Sequence, residues 1–337
     1  MNSGLRQKLT FFFVRFFDSK KDSPREHYAI HPDFKVLWSV PVAKNIKQIR
    51  VIQLLYFQLM YSEPSRKDCS IQHVYIPSPS SPDKRVRALV FADHSLPEDK
   101  TAPCLFFLHG GAFLFPALPY HYRFARLIAK SLPCRVIMPM YHLCPGQLPP
   151  VQMEEMYEVY LQLRKNPERF HIDPDRILAA GDSAGGTMAA ALCQMTRDRG
   201  TPMPIAQALF YPSLDSRLSS DSMKAFPDVP ICNADAIRSY YEICAPQQEY
   251  EPDYYSPMEA ASVEGLPPAY IETAEFDALH DDGIGYAKRL RDAGISVVLN
   301  ETKGTCHAYE MVQHSSITKQ AMEERLRFIR EKLKAGN

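Results

Sequence analysis

Residues 177–186 read ILAAGDSAGG, and this stretch decides the interpretation of the whole chain. An apolar run, Ile177–Ala180, leads into Gly181, and Ser183 stands between that glycine and Gly185, ahead of a helix-forming run. A G-x-S-x-G sequence between a strand and a helix is typical of a sharp turn that lifts a serine hydroxyl above the sheet. The stretch therefore predicts a nucleophilic serine. The alternative is a glycine-rich helix start without a chemical role.

Short apolar runs alternate with helical patterns on both sides of this turn, from Arg85 to the C-terminus. Such alternation is typical of βαβ units and predicts an α/β fold, with a mostly parallel central sheet flanked by helices. The predicted strands are Val86–Phe91, Cys104–Leu108, Arg135–Pro139, Ile177–Gly181, Ala206–Phe210, Ala269–Thr273 and Val297–Glu301. The predicted helices are Tyr122–Ser131, Met153–Arg164, Ala184–Arg197, Asp281–Ala293 and Ile317–Lys334.

Two regions do not follow this alternation, and we expect them to form a cap over the sheet. They are residues 1–70, an N-terminal cap segment, and residues 213–268, a cap insertion rich in Pro, Ser, Asp and Tyr. The core would then comprise residues 71–212 and 269–337. Tyrosines of the insertion either line an acyl or alcohol pocket or belong to ordinary packing; they are Tyr240, Tyr241, Tyr250, Tyr254 and Tyr255.

A nucleophilic serine requires a base to remove its proton, and the base requires a third group that orients it. In the chain order that accompanies this turn, the acid and then the histidine follow the serine. The histidines after Ser183 are His280, His307 and His314. Only His307 comes just after the last predicted strand, where a loop would carry it back over the serine. It is the predicted base.

Five carboxylates in one short segment are candidates for the orienting acid: Glu272, Glu275, Asp277, Asp281 and Asp282. Asp277 follows a predicted strand and precedes a predicted helix, so it occupies a strand-end loop. Asp281 and Asp282 also fit as charges at the start of that helix, and Glu272 would fall within the strand. We predict that Asp277 is the acid.

A glycine turn follows the predicted strand that ends at Leu108, and residues 109–112 read HGGA. Adjacent glycines allow backbone N–H groups to point at a developing oxyanion without obstruction by side chains, and the N–H of Ala184 would add another donor. The turn therefore predicts an oxyanion hole. The alternative is a turn that needs glycine only for its backbone angles.

Four motifs resemble, in order and spacing, those of the hormone-sensitive-lipase-like family of α/β-hydrolases: HGGA at 109–112, GDSAGG at 181–186, DALHDDG at 277–283 and G-x-x-H at 304–307. The resemblance extends from about Arg85 to the C-terminus. It implies the α/β-hydrolase fold with a helical cap. It also implies that Ser183 is the nucleophile, that Asp277 and His307 are its partners, and that the oxyanion donors are Gly110, Gly111 and Ala184.

The function that follows is that of a serine carboxylesterase. We expect it to cleave short-to-medium acyl esters, small-molecule substrates, through an acyl-enzyme on Ser183. Two alternatives use the same fold. One is a receptor that binds a small molecule without turning it over, which the presence of His307 disfavours. The other is an amidase or peptidase with the same triad.

The composition excludes several other classes of function. Lys+Arg and Asp+Glu both total 39, so no net basic field attracts nucleic acid. The chain has no H-E-x-x-H sequence, no histidines paired at ligand spacing and no nucleotide-binding glycine loop, so we expect neither a metal nor a cofactor. Eight scattered cysteines without a C-x-x-C pair indicate free thiols in a reducing compartment, which predicts a cytoplasmic location.

The N-terminal segment raises the question of whether the protein contacts a membrane. No apolar run reaches the ~18 residues of a membrane-spanning helix, so we expect a soluble protein without a transmembrane segment. Residues 1–17 nevertheless place Leu and Phe on one helical face with Arg and Lys off it. Such a helix either packs on the body of the protein, which is the more common case, or lies on a membrane surface. No pattern indicates an oligomeric state.

Overall fold

The computed structural model describes residues 27–43, 45–60, 69–244 and 254–334, with the side chains of residues 55–60 left out. The amphipathic segment over residues 1–17 lies outside the described residues, so its membrane contact stays a prediction. Within the described part, no helix combines the length and the apolar character needed to cross a membrane.

One eight-stranded sheet forms the centre of the molecule, in the order β1-β2-β4-β3-β5-β6-β7-β8. Antiparallel pairing is confined to β1 with β2 and β2 with β4, and all other neighbours are parallel. The predicted mostly parallel sheet is therefore confirmed. The strands are β1 (Cys69–Pro77), β2 (Arg85–Asp93), β3 (Ala102–Leu108), β4 (Arg135–Met140), β5 (Ile172–Asp182), β6 (Gln207–Phe210), β7 (Ala269–Phe276) and β8 (Val297–Cys306).

Helices cover both faces of the sheet, because successive strand residues point to opposite faces and both faces are apolar. In β3, Cys104 and Phe106 join one hydrophobic cluster, and Leu105 and Phe107 join the other. The helices are α1 (Ile46–Met60), α2 (Pro119–Ser131), α3 (Pro149–Lys165), α4 (Pro167–Phe170), α5 (Ala184–Asp198), α6 (Asp221–Ala225), α7 (Ala234–Cys244), α8 (His280–Asp292) and α9 (Ser316–Lys334). Residues of α3, α5 and α8 contribute to the first cluster and residues of α2 and α9 to the second.

The sequence analysis missed β1 and placed the ends of several strands too early. β1 is the edge strand, paired with β2 alone, so residues such as Gln72 and His73 face outward and weaken the apolar pattern that identifies a strand. β8 continues to Cys306, five residues beyond its predicted end, although Lys303 and Gly304 are polar or small. His307 consequently follows the strand directly.

The two regions without alternation contain helices and approach each other near Ser183. Residues 27–60 carry a 3₁₀ helix, Pro32–Ser39, followed by α1, and residues 213–244 carry α6 and α7. The hydroxyl of Tyr240 on α7 donates to the carbonyl of Ala43, 3.1 Å away. The division into two cap segments and two core segments stays a prediction.

Candidate active site

The turn at Ser183 has the strained backbone that a nucleophile elbow requires. β5 ends at Asp182, α5 begins at Ala184, and Ser183 between them has φ +54°. A positive φ is costly for a residue with a side chain and persists only where the surroundings enforce it. Here the N–H of Ser183 donates to Phe210 on β6 at 2.9 Å. A Cβ on Gly185 would lie 2.0 Å from the carbonyl oxygen of Leu108, so only glycine lets α5 begin this close to β3.

The structure brings Ser183, His307 and Asp277 into one hydrogen-bonded row. Nε2 of His307 is 3.0 Å from Oγ of Ser183, and Nδ1 is 2.7 Å from Oδ2 of Asp277. Asp277 follows β7, and His307 follows β8, so parallel strands deliver all three side chains to the same edge of the sheet. The carboxylate accepts a hydrogen bond from Nδ1–H, which leaves the Nε2 lone pair facing the serine hydroxyl.

Burial and charge act in opposite directions on His307. Its side chain is only 5% exposed, and burial disfavours the imidazolium. The negative charge of Asp277 and its hydrogen bond outweigh burial, so the pKa of His307 is raised above its ordinary value. The imidazole can thus accept a proton from a hydroxyl near neutral pH, and Asp277 stabilises the positive charge of the imidazolium that forms.

The other candidate acids are engaged elsewhere. Glu272 lies inside β7 and pairs with the buried guanidinium of Arg325. Glu275 accepts the N–H of Gly304, and Asp281 is 2.9 Å from Nδ1 of His280. Asp282 accepts the N–H groups of residues 214 and 215, and burial raises its pKa to about 7. Of the other two candidate histidines, His280 is thus paired with Asp281, and His314 is exposed.

The structure corrects one predicted oxyanion donor. The N–H of Gly110 donates to Oδ1 of Asp182 at 2.9 Å, so it is engaged inside the protein and cannot serve an oxyanion. The N–H groups of Gly111, Ala112 and Ala184 donate to no other atom in the described part of the chain. Gly111 has φ +123° and Ala112 φ +52°, and both residues border the same cavity as Ser183. The sequence analysis named both glycines of the turn as donors and did not name Ala112.

Asp182 is a second residue that the sequence analysis missed. Its Oδ2 accepts from the hydroxyl of Tyr120 and from Nε2 of His121, both at 3.0 Å. The N–H of Leu118 donates to Nδ1 of His121, which places the ring proton on Nε2. These contacts tie the glycine turn and α2 to the residue beside the nucleophile. The available signal was its place next to Ser183 in a buried turn, where a carboxylate needs donors.

A buried polar network supports the other side of His307. The ring of Tyr211 lies 4.7 Å from the imidazole, edge to face, and its hydroxyl donates to Glu310. Arg325 on α9 is 1% exposed and pairs with both Glu310 and Glu272. This network spans three distant parts of the chain, and no local sequence pattern could have identified it.

Three of the five tyrosines named from the sequence lie beside Ser183. Tyr240 and Tyr241 on α7, together with Tyr255, line a cavity at the serine. Tyr254 instead donates its hydroxyl to Asp198, and Tyr250 lies outside the described residues. Three of the five tyrosines thus border the cavity at Ser183, and their role as the lining of a substrate pocket stays a prediction.

The residues that the structure describes also bear on whether the protein could bind a metal ion. There, no group of three or more His, Cys, Asp or Glu side chains is arranged to hold a metal ion. All eight cysteines are buried as free thiols.

Comparison with known proteins agrees with this geometry. A sequence model of the α/β-hydrolase fold family matches residues 105–311, more than half of the chain. Esterase LipI of Mycobacterium tuberculosis is 30% identical over 249 residues, which cover 73% of this chain and 77% of LipI. Carboxylesterase NlhH of the same species is 34% identical over 211 residues, 61% of this chain and 66% of NlhH.

Solved structures of esterases are similar to this chain over a larger share of its length. A bacterial heroin esterase superposes with a TM-score of 0.81 at 28% identity, covering 90% of this chain and 98% of that one. The family model over residues 105–311 spans the strands that precede Ser183, Asp277 and His307. The chain therefore belongs to the hormone-sensitive-lipase-like family of α/β-hydrolases.

Proposed function

We propose that this carboxylic ester hydrolase acts through an acyl-enzyme on Ser183, with His307 as general base and acid and Asp277 as the orienting acid. One observation carries the proposal: the imidazole of His307 lies within hydrogen-bond distance of both the hydroxyl of Ser183 and the carboxylate of Asp277. Proton transfer requires this reach, and the buried carboxylate stabilises the imidazolium that forms.

The reaction proceeds in two halves. Nε2 of His307 takes the hydroxyl proton as Oγ of Ser183 bonds to the ester carbonyl carbon, and the tetrahedral oxyanion is held by the N–H groups of Gly111, Ala112 and Ala184. The imidazolium then protonates the alcohol oxygen, the C–O bond breaks and the alcohol departs. Water, deprotonated by His307, cleaves the acyl-enzyme and restores Ser183. Loss of one oxyanion donor costs about 3 kcal/mol in such sites.

The substrate class follows from the relatives and from the cavities at Ser183. Several relatives are named esterases, which favours ester over amide cleavage, and we propose short-to-medium acyl esters as substrates. We also propose that residues 1–70 and 213–268 act as the cap, because Val42 from the first and Tyr240 from the second border the same cavity as Ser183. A cytoplasmic location is proposed from the free cysteines.

Hydrolysis of p-nitrophenyl acetate by purified protein tests the mechanism. We expect Ser183→Ala to lower kcat/KM by about a million-fold, since the bond-forming oxygen is lost. The matched control is Ser70→Ala on β1, whose hydroxyl donates to Ala92 far from the site. Its rate should equal that of the wild type. A Ser183→Ala variant as active as the wild type would overturn the proposal, and faster cleavage of p-nitroacetanilide would favour an amidase.

A further inference from the structure

Two cavities meet at Ser183, and they differ greatly in size. The described residues enclose one cavity of about 180 Å³ that is bordered by His307, Phe115 and Met311. A second cavity of about 20 Å³ adjoins it, shares Ser183 in its lining and is bordered by Ala184 and Tyr241. Ser183 borders both, so an ester that reacts there has one part in each.

The position of His307 decides which part enters which cavity. The imidazolium must protonate the oxygen of the departing alcohol, so that oxygen has to lie near Nε2. His307 borders the larger cavity and is not part of the smaller one. The alcohol part therefore belongs in the larger cavity, and the acyl chain points away from His307 into the smaller one.

We propose that the enzyme is an acetyl esterase, which removes acetyl groups from bulky, uncharged apolar alcohols. This inference rests on the proposed function, whose Ser183 and His307 define the two cavities, and it narrows the short-to-medium acyl range given there to acetyl. In the reaction, Oγ of Ser183 bonds to the acetyl carbon, and the bond from that carbon to the alcohol oxygen breaks. The alcohol leaves with the proton held by His307. Water then releases acetate and a proton.

The smaller cavity has room for little more than a methyl group. A cavity needs a volume of roughly 10–15 Å³, measured in the same way, to hold a single water molecule, and a water molecule is about the size of a methyl group. The boundary is an aromatic wall formed by Phe113, Tyr240, Tyr241 and Tyr255. The ring of Tyr255 lies 5.1 Å from that of Tyr241 and 5.3 Å from that of Phe113.

The aromatic wall is braced against movement. The hydroxyls of Tyr241 and Ser213 are hydrogen-bonded at 2.9 Å, which fixes the ring from its far end. Tyr240 is fixed by its bond to the carbonyl of Ala43. Close-packed protein interiors resist added methylene groups, because neighbouring side chains must leave their preferred rotamers. Longer acyl chains than acetyl should therefore bind the transition state poorly.

The larger cavity selects for an apolar alcohol. Its lining within the described residues contains no Asp, Glu, Lys or Arg, and aliphatic residues such as Val42, Ile52 and Ile231 form much of it. An ionised group on the alcohol would lose its hydration there without gaining a partner of opposite charge. The acetyl esters of neutral, bulky alcohols fit both cavities.

A chain-length series on one alcohol tests the acyl half of the proposal. We expect kcat/KM of the wild type to fall at least about tenfold from p-nitrophenyl acetate to the butyrate, and further to the hexanoate. Tyr241→Ala removes one ring of the aromatic wall and should lower the acetate-to-butyrate ratio at least about tenfold. Leu279→Ala opens the same cavity if the first variant does not fold. The matched control, Met311→Ala, enlarges only the other cavity and should keep the ratio.

A pair of acetyl esters that differ in charge tests the alcohol half. We expect methyl p-acetoxybenzoate to be cleaved at least about tenfold faster than p-acetoxybenzoate, whose carboxylate would enter the apolar cavity unpaired. Equal rates would overturn this half.

The outcomes separate the two proposals. Equal wild-type rates on acetate and butyrate, with Ser183→Ala inactive on both, would overturn the acetyl preference and leave the serine mechanism standing. A Ser183→Ala variant that still hydrolyses the acetate would overturn the mechanism itself. An unchanged ratio in a folded Tyr241→Ala variant would show that the aromatic wall does not limit the acyl group.

Discussion

The row of Ser183, His307 and Asp277 and the aromatic wall meet at one hydroxyl, that of Ser183, yet they are held in different ways. The row comes from the ends of three parallel strands, and each member is fixed by a directed hydrogen bond or a strained backbone. The aromatic wall comes mostly from the irregular region after β6, and it is held by ring packing and by the hydrogen bonds of two of its tyrosines, Tyr240 and Tyr241.

This difference separates chemistry from specificity. A displacement of the row by about 1 Å can lower the rate by about a hundredfold, so substitutions of its residues should be costly for every substrate. The aromatic wall only excludes volume, so its residues can change size and alter which ester reacts while the reaction itself continues. Substitutions in the row should therefore lower every rate, and substitutions in the wall should change ratios between substrates.

The largest effect in this comparison is expected for Asp277→Asn. Asparagine can donate its amide to Nδ1 of His307, which places the ring proton on Nε2 and removes the lone pair that faces Ser183. We expect kcat to fall by about four orders of magnitude for every ester. The same segment provides a matched control, Asp281→Asn, which alters a carboxylate beside His280 and should retain the wild-type kcat.

The pH profile of the same pair of proteins sharpens the result. Only neutral His307 can accept the serine proton, so kcat/KM rises with pH through the pKa of this histidine. Asp277 raises that pKa, so the wild-type inflection should lie above about 6.5, the ordinary value for histidine. In Asp277→Asn the inflection should move to lower pH. A profile that is the same in both proteins would contradict the role of Asp277.

A smaller effect is expected for Asp182→Asn. Asparagine offers one acceptor oxygen in place of two, so either the N–H of Gly110 or that of His121 loses its partner. The glycine turn should then shift away from Ser183. We expect kcat to fall by up to about a hundredfold with KM nearly unchanged, since oxyanion contacts act mainly in the transition state.

Asp173→Asn is the control for this variant, because Asp173 lies on the same strand, far from the turn, and pairs with Arg176. It should keep the wild-type kcat. The account of Asp182 would be wrong if a folded Asp182→Asn protein, checked by its melting temperature, retained full activity.

The smallest effect is expected for Tyr241→Phe, which keeps the ring of the aromatic wall and removes only the hydrogen bond to Ser213. We expect the acetate-to-butyrate ratio of kcat/KM to fall by about two- to fivefold, because one net hydrogen bond contributes about 1 kcal/mol. Ser213→Ala removes the same bond from its other end and should give the same ratio. A larger change in either variant than in Tyr241→Ala would contradict the bracing role.

The sequence predicted the chemistry better than the surroundings of the site, for a physical reason. Ser183, Asp277 and His307 each directly follow a strand, and parallel strands bring such ends together, so position along the chain carried spatial information. Gly110 was wrongly predicted to be an oxyanion donor, since its N–H donates to Asp182 instead. The direction of each N–H in this turn depends on the φ angles of Gly111 and Ala112, and no residue pattern fixes these angles.

Features that depend on contacts distant in sequence could not be predicted. Asp182 holds the glycine turn through partners more than sixty residues earlier, and Arg325 reaches Glu272 across fifty-three residues. β1 was missed because its outward face is polar. The smaller cavity is small because Tyr241 and Tyr255 pack beside Ser183. The sequence did not show whether these tyrosines line a pocket or only pack in the interior.

Covalent labelling with a fluorophosphonate, followed by peptide mass mapping, tests the central claim most directly. The reagent reacts with a serine whose hydroxyl is activated by a base, and it distinguishes an enzyme from a receptor on the same fold. The account predicts a single phosphonyl adduct on Ser183, absent from Ser183→Ala and formed far more slowly in His307→Ala. A wild-type protein that stays unlabelled, or that carries the adduct on another residue, would contradict it.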